Sequence, residues 1–203
     1  MSSALIIFIK NPELGKAKTR IAKTTGPEQA LEIYHQLLDH TRSVCESAKA
    51  DKYLFYSEFI DNDDAWSSEH FHKRLQSAGN LGNKISHAFQ SLKSDYDNIL
   101  IIGSDCLDLE PKIIESALES LKNNQVVIGP TYDGGYYLIG SQGYYPELFA
   151  DIAWSTETVY DQTLEAAIKC GLSVHTLPKL NDVDYESDWI EALERRKART
   201  IGM

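Results

Sequence analysis

An aspartate closes a run of aliphatic residues in NILIIGSDCLDLEP, Asn98 to Pro111. In an open α/β sheet, a residue just past a strand emerges at the carboxyl edge, where such sheets bind ligands. Asp105 is therefore a candidate ligand for a hard divalent cation, which takes carboxylate, phosphate and water oxygens. An Asx turn or a helix cap is the plainer use of the same residue. Asp108 and Glu110 suit the plainer use better, because they precede a helix opening at Pro111 and complement its dipole.

A second constellation comes after the first aliphatic run. KNPELGKAKTRIAK gathers Lys10, Lys16, Lys18, Arg20 and Lys23 in an otherwise acidic chain. Gly15 permits close backbone approach. Lys18, Thr19 and Arg20 can set two cations and a hydroxyl on phosphates near a helix N-terminus. The alternative is a solvated basic helix start. Neither a Walker A loop nor a GxGxxG fingerprint is present.

Four further segments carry candidate groups. In AGNLGNKI, Gly79 and Gly82 flank Asn80; they either bring backbone amides and the Asn80 amide to a base or ribose, or form a plain turn into a helix. In GPTYDGGYYLIG, Asp133 precedes Gly134 and Gly135. The Asp-Gly pair predicts a hairpin, and the same segment can let a ligand lie on the glycines, with Asp133 on a sugar hydroxyl, acceptor or metal and Tyr136 or Tyr137 on a ring. In IAWSTETV, Ser155 or Thr156 caps the next helix, and Trp154 is either core or pocket wall. In KLNDVDYESDW, Asp182, Asp184 and Asp188 surround the last helix start. Asp184 either supplies a second metal carboxylate or caps that helix, with Asp188 favouring its first turn. The six histidines, with one His70-x-His72 pair, make no zinc set, and no GxSxG elbow or nucleophilic cysteine context occurs.

These segments need a scaffold, and the pattern between them supplies one. The near-continuous apolar run Ala4 to Ile9 predicts a strand covered on both faces. Apolar spacing at Ala30, Ile33, Tyr34, Leu37, Leu38 and Val44 predicts a helix from Pro27. KYLFYS, a short strand at KRLQ, NILIIG, QVVIGP and LSVHTL predict further strands, and GYYLIGSQG a strand on a smaller second sheet. DNDDAWSSEHFH predicts an acidic loop or short helix. Helices are expected around Ile85, Ala88, Phe89 and Leu92, from Pro111, over TETVYDQTLEAAIKC up to Gly171, and over YESDWIEALERRKAR. Strands alternating with helices predict a three-layer α/β fold with a mostly parallel central sheet, in one domain spanning residues 1–203.

The bulk numbers narrow the partners. The chain has 203 residues, is 42% hydrophobic and 25% charged, and carries a net charge of -10. That charge disfavours nucleic acid but not a nucleotide bound with a divalent cation. No apolar run approaches the roughly 18 residues of a membrane helix, and MSSALIIFIKNP lacks the features of a secretory signal. Cys45, Cys106 and Cys170 are scattered and odd in number, which argues against a disulfide framework and for a cytoplasmic location.

Taken in order, FIKNPELGKAKTRIA, GNLGNKI, IIGSDCLDL, GPTYDGGYYLIG, IAWSTETV and LNDVDYESDW resemble a bacterial family of uncharacterised glycosyltransferase-A-like proteins, the domain of unknown function 2064, within the nucleotide-diphospho-sugar transferase superfamily. The resemblance spans essentially the whole chain. Its specific part is the pairing of K-x-P-x-x-G-x-x-K-T-R with G-P-x-x-D-G-G-Y. It implies a Rossmann-like glycosyltransferase-A fold that binds a nucleoside triphosphate or nucleotide sugar with Mg²⁺ or Mn²⁺ and passes a group to a small-molecule acceptor. On that reading Lys10, Gly15, Lys18, Thr19 and Arg20 face the phosphates, joined at the nucleotide by Asn80 and Gly82. Asp105 and Asp184 hold the metal. Asp133, Gly134, Gly135, Tyr136 and Trp154 form the acceptor side, and Asp105, Asp133, Lys18 and Arg20 carry the catalysis. The chain departs from the family pattern at Leu107, where proline is usual, and at Asp184-Tyr185-Glu186, where Asp-Thr-Pro is usual. Two other readings compete with sugar transfer: nucleotidyl transfer to a small phosphorylated or acidic acceptor, and a noncatalytic nucleotide-binding module.

Overall fold

The computed structural model describes residues 1–201, with side chains up to residue 199. Among these residues seven strands form one sheet: β1 (Ser3–Ile9), β2 (Asp51–Tyr56), β3 (Phe71–Leu75), β4 (Asn98–Ile102), β5 (Val126–Pro130), β6 (Tyr136–Gln142) and β7 (Val174–Thr176), in the order β3-β2-β1-β4-β6-β5-β7. Every neighbouring pair is parallel except the two that β6 makes.

Six helices cover the sheet: α1 (Thr19–Thr25), α2 (Pro27–Glu46), α3 (Leu81–Leu92), α4 (Pro111–Ser120), α5 (Val159–Lys169) and α6 (Glu186–Ile201). Side chains alternate across a strand, and β1 shows the result. Leu5, Ile7 and Ile9 enter a core with Ile33, Leu37, Ile114 and Trp189, from α2, α4 and α6. Ala4 and Ile6 enter a second core with Ile85, Phe89 and Ala167, from α3 and α5. The sheet is thus the middle of three layers. This is why β1, β4 and β5 read as unbroken apolar runs.

One expectation is corrected. GYYLIGSQG does not start a smaller second sheet; it is β6, inside the main sheet between β4 and β5. The hairpin at Asp133-Gly134 reverses the chain after β5. The returning strand then fills the slot beside β4, pairing Ile102 with Leu138 and Gly129 with Leu138 from either side. A strand buried on both faces has the same composition whichever way it runs, so direction and slot are set by tertiary pairing.

Asp108 and Glu110 also differ from expectation. Neither side chain caps α4: Glu110 occupies the N-cap position, but its carboxylate pairs with Arg199 at 2.9 Å and Lys112 at 2.6 Å rather than with a helix amide. Asp108 is buried and takes Arg195 Nε at 2.9 Å and Arg199 at 3.2 Å, which ties α6 to the loop ahead of α4. Removing one partner of a buried pair leaves the others uncompensated, although both arginines here can reach water. Asp108→Ala is expected to cost about 2 kcal/mol, read as a lower urea midpoint, with Asp108→Asn closer to wild type.

Cys45 and Cys106 are buried, Cys170 is exposed, and all three are free thiols. Among the described residues, no helix is long and apolar enough to cross a membrane.

Candidate active site

The carboxyl edges of β1 and β4 face the same cleft because these strands are parallel neighbours, with Ile7 beside Ile102. The loops that leave the two strands therefore meet in space. The loop after β1 is held down from two sides. The Tyr34 hydroxyl donates to the Lys10 carbonyl at 3.0 Å and accepts from the Lys10 amide at 2.8 Å. Asn11 is buried; it donates to the Phe59 carbonyl at 2.8 Å and accepts from the Glu58 amide at 3.0 Å, pinning the loop to the segment after β2. Burial, and then the nearby Asp105 charge, keep the Tyr34 phenol protonated well above its usual range.

That loop turns at Gly15 and ends at Lys18, whose backbone is left-handed with φ 47° and ψ 47°. This region is uncommon for residues other than glycine. It directs a nearly enclosed side chain, 7% exposed, across the cleft to Asp105. Lys18 Nζ lies 2.7 Å from Asp105 Oδ1, 2.7 Å from the Val183 carbonyl and 4.0 Å from Asp184 Oδ1. Arg20 stands two residues on, with its guanidinium 2.5 Å from Asp184 Oδ2 and 5.6 Å from the Tyr185 ring centre. The helix they introduce, α1, has only seven residues. The local positive potential is therefore carried chiefly by the two side chains rather than by an extended helix dipole. Lys10 and Thr19 are exposed at the ends of the same loop.

Asp184 reaches Asp105 because the chain after β7 continues along the sheet's edge as a strap. Leu177 donates to Ile128, Leu180 to Pro130, and Val183 to the Asp105 carbonyl at 2.8 Å. The start of α6 is then capped from within. Asp188 accepts from the amides of Asp184 at 3.0 Å and Tyr185 at 2.7 Å. The carboxylate expected only to favour the first turn thus does the capping, and that of Asp184 points to the cations.

The strap also brings in Asp182, which the sequence placed among the acids of this segment without a role of its own. Burial, followed by Asp105 and Asp133, pushes its carboxyl up to about 8. The unfolded chain releases this proton near the ordinary carboxylate value of 3.8, whereas the folded chain holds it to about 8, so the fold loses stability as pH rises between those values. Asp182→Asn is expected to raise the melting temperature of the metal-free protein above wild type at pH 8, with the two converging near pH 4, as followed by thermal melts across pH.

On the far side of the cleft, the β5–β6 hairpin presents Asp133. Its Oδ1 accepts from the Thr131 hydroxyl at 2.5 Å and from the Gly135 amide at 3.0 Å, which orients the carboxylate. Beside it lies a depression of about 480 Å³, lined by Tyr132, Asp133, Gly134, Glu157, Asp161 and Lys179. Tyr132 is 64% exposed, with Lys179 Nζ 5.0 Å from its ring centre. Tyr136, expected at the acceptor, instead encloses its hydroxyl in the core beside Thr163 and meets Trp154 edge-on at 6.3 Å. The next residue of the hairpin strand also turns inward, and the exposed tyrosine is the one before Asp133.

Trp154 lies across the start of α3. A Cβ on Gly82 would sit 2.1 Å from its indole nitrogen, so Gly82 makes room for Trp154. Asn80 caps α3, accepting from the Asn83 amide at 2.9 Å, while its own amide donates to the Asn83 side chain. The carbonyl end of its carboxamide is thereby committed to the helix. The helix after Trp154 begins later than predicted. Thr158 is the N-cap of α5, and Thr156 bonds the Ala153 carbonyl and the Thr158 hydroxyl. Ser155 has a left-handed backbone, φ 64°, and caps nothing.

The donor set suits a hard cation, because the side chains that meet Lys18 are the carboxylates of Asp105 and Asp184. Among the described residues no three His, Cys, Asp or Glu side chains converge as a closed cage.

The family model described as "Uncharacterized protein conserved in bacteria (DUF2064)" matches residues 40–156, more than half of the chain. No curated protein matches the chain. Among solved structures, a "putative nucleotide-diphospho-sugar transferase" from Desulfovibrio desulfuricans G20 is 29% identical over 98% of this chain and 96% of that chain, with a TM-score of 0.84. Rv0371c from Mycobacterium tuberculosis H37Rv is 13% identical over 95% of this chain and 98% of its own, with a TM-score of 0.63, and its structure has also been solved in complex with manganese. The 4-diphosphocytidyl-2C-methyl-D-erythritol synthase of Anaerococcus prevotii DSM 20548 is 12% identical over 97% of this chain and 98% of that chain, with a TM-score of 0.60. These likenesses place the fold among the glycosyltransferase-A-like nucleotide-diphospho-sugar transferases.

Proposed function

We propose that this chain, which belongs to the bacterial protein family DUF2064, is a divalent-metal-dependent transferase acting on a nucleotide-activated donor, and that the donor is a nucleotide sugar. The observation that carries this reading is the group at the carboxyl edge of β1 and β4. Two carboxylates and two cations form one chain of contacts across the cleft: Lys18 lies 2.7 Å from Asp105 and 4.0 Å from Asp184, and Arg20 lies 2.5 Å from Asp184. Carboxylate oxygens are what a hard cation takes, and the cationic side chains are what diphosphate oxygens take. The likeness to the Desulfovibrio protein supports the choice of donor.

In this proposal Asp105 and Asp184 hold Mg²⁺ or Mn²⁺, with Asp182 beside them. Held there, the metal would supply positive charge that offsets charge growing on the leaving group. Lys18 and Arg20 bind the same phosphates, with Gly15, Thr19 and Lys10 along the loop. Asn80 and Gly82 stay near the nucleoside by way of the α3 turn rather than through the Asn80 carbonyl. Asp133 is the acceptor-side group: Oδ1 is fixed by Thr131 and Gly135, and Oδ2 is left to accept a hydroxyl proton or hold the acceptor. Gly134, Gly135 and Trp154 complete that side.

Nucleotidyl transfer is the second reading, favoured by a specific observation. A first loop carrying both Lys18 and Arg20 suits the greater charge of a triphosphate.

The test is a thermal-shift panel of nucleoside triphosphates and nucleotide sugars, with and without Mg²⁺ or Mn²⁺. An assay for the released product comes next. A ligand at 100 times its Kd stabilises the folded chain by about 2.7 kcal/mol. Nucleoside diphosphate release supports sugar transfer, and pyrophosphate release supports nucleotidyl transfer. Binding without turnover of any donor leaves a binding module, and a panel with no shift removes the donor reading.

A further inference from the structure

We propose that Lys18 and Arg20 act as internal stand-in cations: they hold Asp105 and Asp184 in the resting protein and release them to the divalent metal when donor phosphates draw the two cations away. Metal and nucleotide then bind as a coupled pair, each weakly alone. The proposal rests on the donor-site reading and adds an order of assembly to it.

Lys18 Nζ sits among oxygens of the kind a hard cation takes: Asp105 Oδ1 at 2.7 Å, the Val183 carbonyl at 2.7 Å and Asp184 Oδ1 at 4.0 Å. Its side chain is 7% exposed and so held there rather than sampling solvent. The left-handed backbone at Lys18 and the Val183–Asp105 bond at 2.8 Å fix both sides of the contact. Arg20 occupies the other oxygen of Asp184 at 2.5 Å. Each carboxylate expected to bind metal therefore already has a cation of its own.

A divalent ion approaching Asp105 meets an ammonium 2.7 Å from the same oxygen, and repulsion between like charges is strong in a partly dry cleft. Phosphate oxygens offer Lys18 and Arg20 charge-assisted bonds of equal kind. Once the cations turn to the phosphates, the carboxylates are left with uncompensated charge that the metal neutralises. Linkage makes the effect reciprocal, so whatever factor the metal adds to nucleotide affinity the nucleotide adds to metal affinity.

The experiment uses Mn²⁺ alone, with no nucleotide, and reads the free-ion electron paramagnetic resonance signal against protein concentration. Wild type is expected to bind Mn²⁺ weakly. Lys18→Met is expected to bind at least about tenfold more tightly, because the competing charge is gone. Lys18→Arg, which keeps the charge, is expected to stay near wild type. If Lys18→Met does not fold, Lys18→Gln, which keeps a donor for Val183, is read in the same way. Unchanged or weaker Mn²⁺ binding in the uncharged variant overturns the proposal, and so does equal tightening in Lys18→Arg. The result is separable from the donor reading. Competition for Mn²⁺ with a silent nucleotide panel removes the donor and keeps the stand-in role; an active panel with no competition does the reverse.

Discussion

Asp105→Asn is expected to lower turnover of the best donor by about 10²–10³-fold at saturating metal, and to abolish the extra thermal shift that Mg²⁺ or Mn²⁺ adds to nucleotide binding. The expectation comes from position and charge together. Asp105 follows β4, a strand buried on both faces, by three residues, and its carbonyl accepts from the Val183 amide at 2.8 Å, which holds its backbone. Its side chain is 45% exposed, so it is accessible to a ligand. The asparagine variant keeps the shape and an oxygen for Lys18 but removes the charge a hard cation requires. Asp105→Ala is the harsher change, because Lys18 keeps only the Val183 carbonyl in close contact. A melting temperature near wild type for Asp105→Asn, with metal dependence lost, assigns the effect to the site. Metal dependence that survives in Asp105→Asn removes Asp105 from the metal.

Gly134→Ala is expected to destabilise the protein by about 2–5 kcal/mol, the sum of backbone strain and overpacking. Gly134 has φ 89°, which a side chain disfavours, and a Cβ there would lie 1.9 Å from the Glu157 carbonyl oxygen. That oxygen is backbone and cannot swing aside. The Gly134 carbonyl also accepts from the Tyr160 amide at 2.9 Å, so the hairpin tip is fastened to the first turn of α5. Denaturant unfolding gives the stability. The same variant is expected to move Asp133, so any acceptor-dependent turnover should fall beyond what instability explains at temperatures where the variant is folded. A variant within about 1 kcal/mol of wild type would mean that the hairpin and α5 separate easily.

Much of this architecture was written in local pattern. Ala4 to Ile9 and Asn98 to Ile102 could be read as doubly covered strands from composition alone, and the spacing of Ala30, Ile33, Tyr34, Leu37 and Leu38 as a helix face, because both signals depend only on neighbours along the chain. Asp105 was legible as a residue at the carboxyl edge of the sheet for the same reason: strand type predicts where a strand's end lies. The hairpin at Asp133-Gly134 came from turn chemistry.

The features that chain order could not reveal depended on contacts between distant segments. The slot of β6 was one, since burial on both faces leaves no mark of direction. The partners of Asp108, Arg195 and Arg199 on the distant α6, were another, as a carboxylate before a helix looks like a cap until an arginine is found beside it. Asp182 stood in an acidic segment with no distinguishing signal, and only the strap's approach to Asp105 and Asp133 makes its charge costly. The sequence by itself determined that acids and bases of the right types would arrive at one edge of a parallel sheet. Only the tertiary structure decided that Lys18 lies between Asp105 and Asp184, because that meeting is set by a left-handed turn and a strap 165 residues apart along the chain, and electrostatic pairing acts through space.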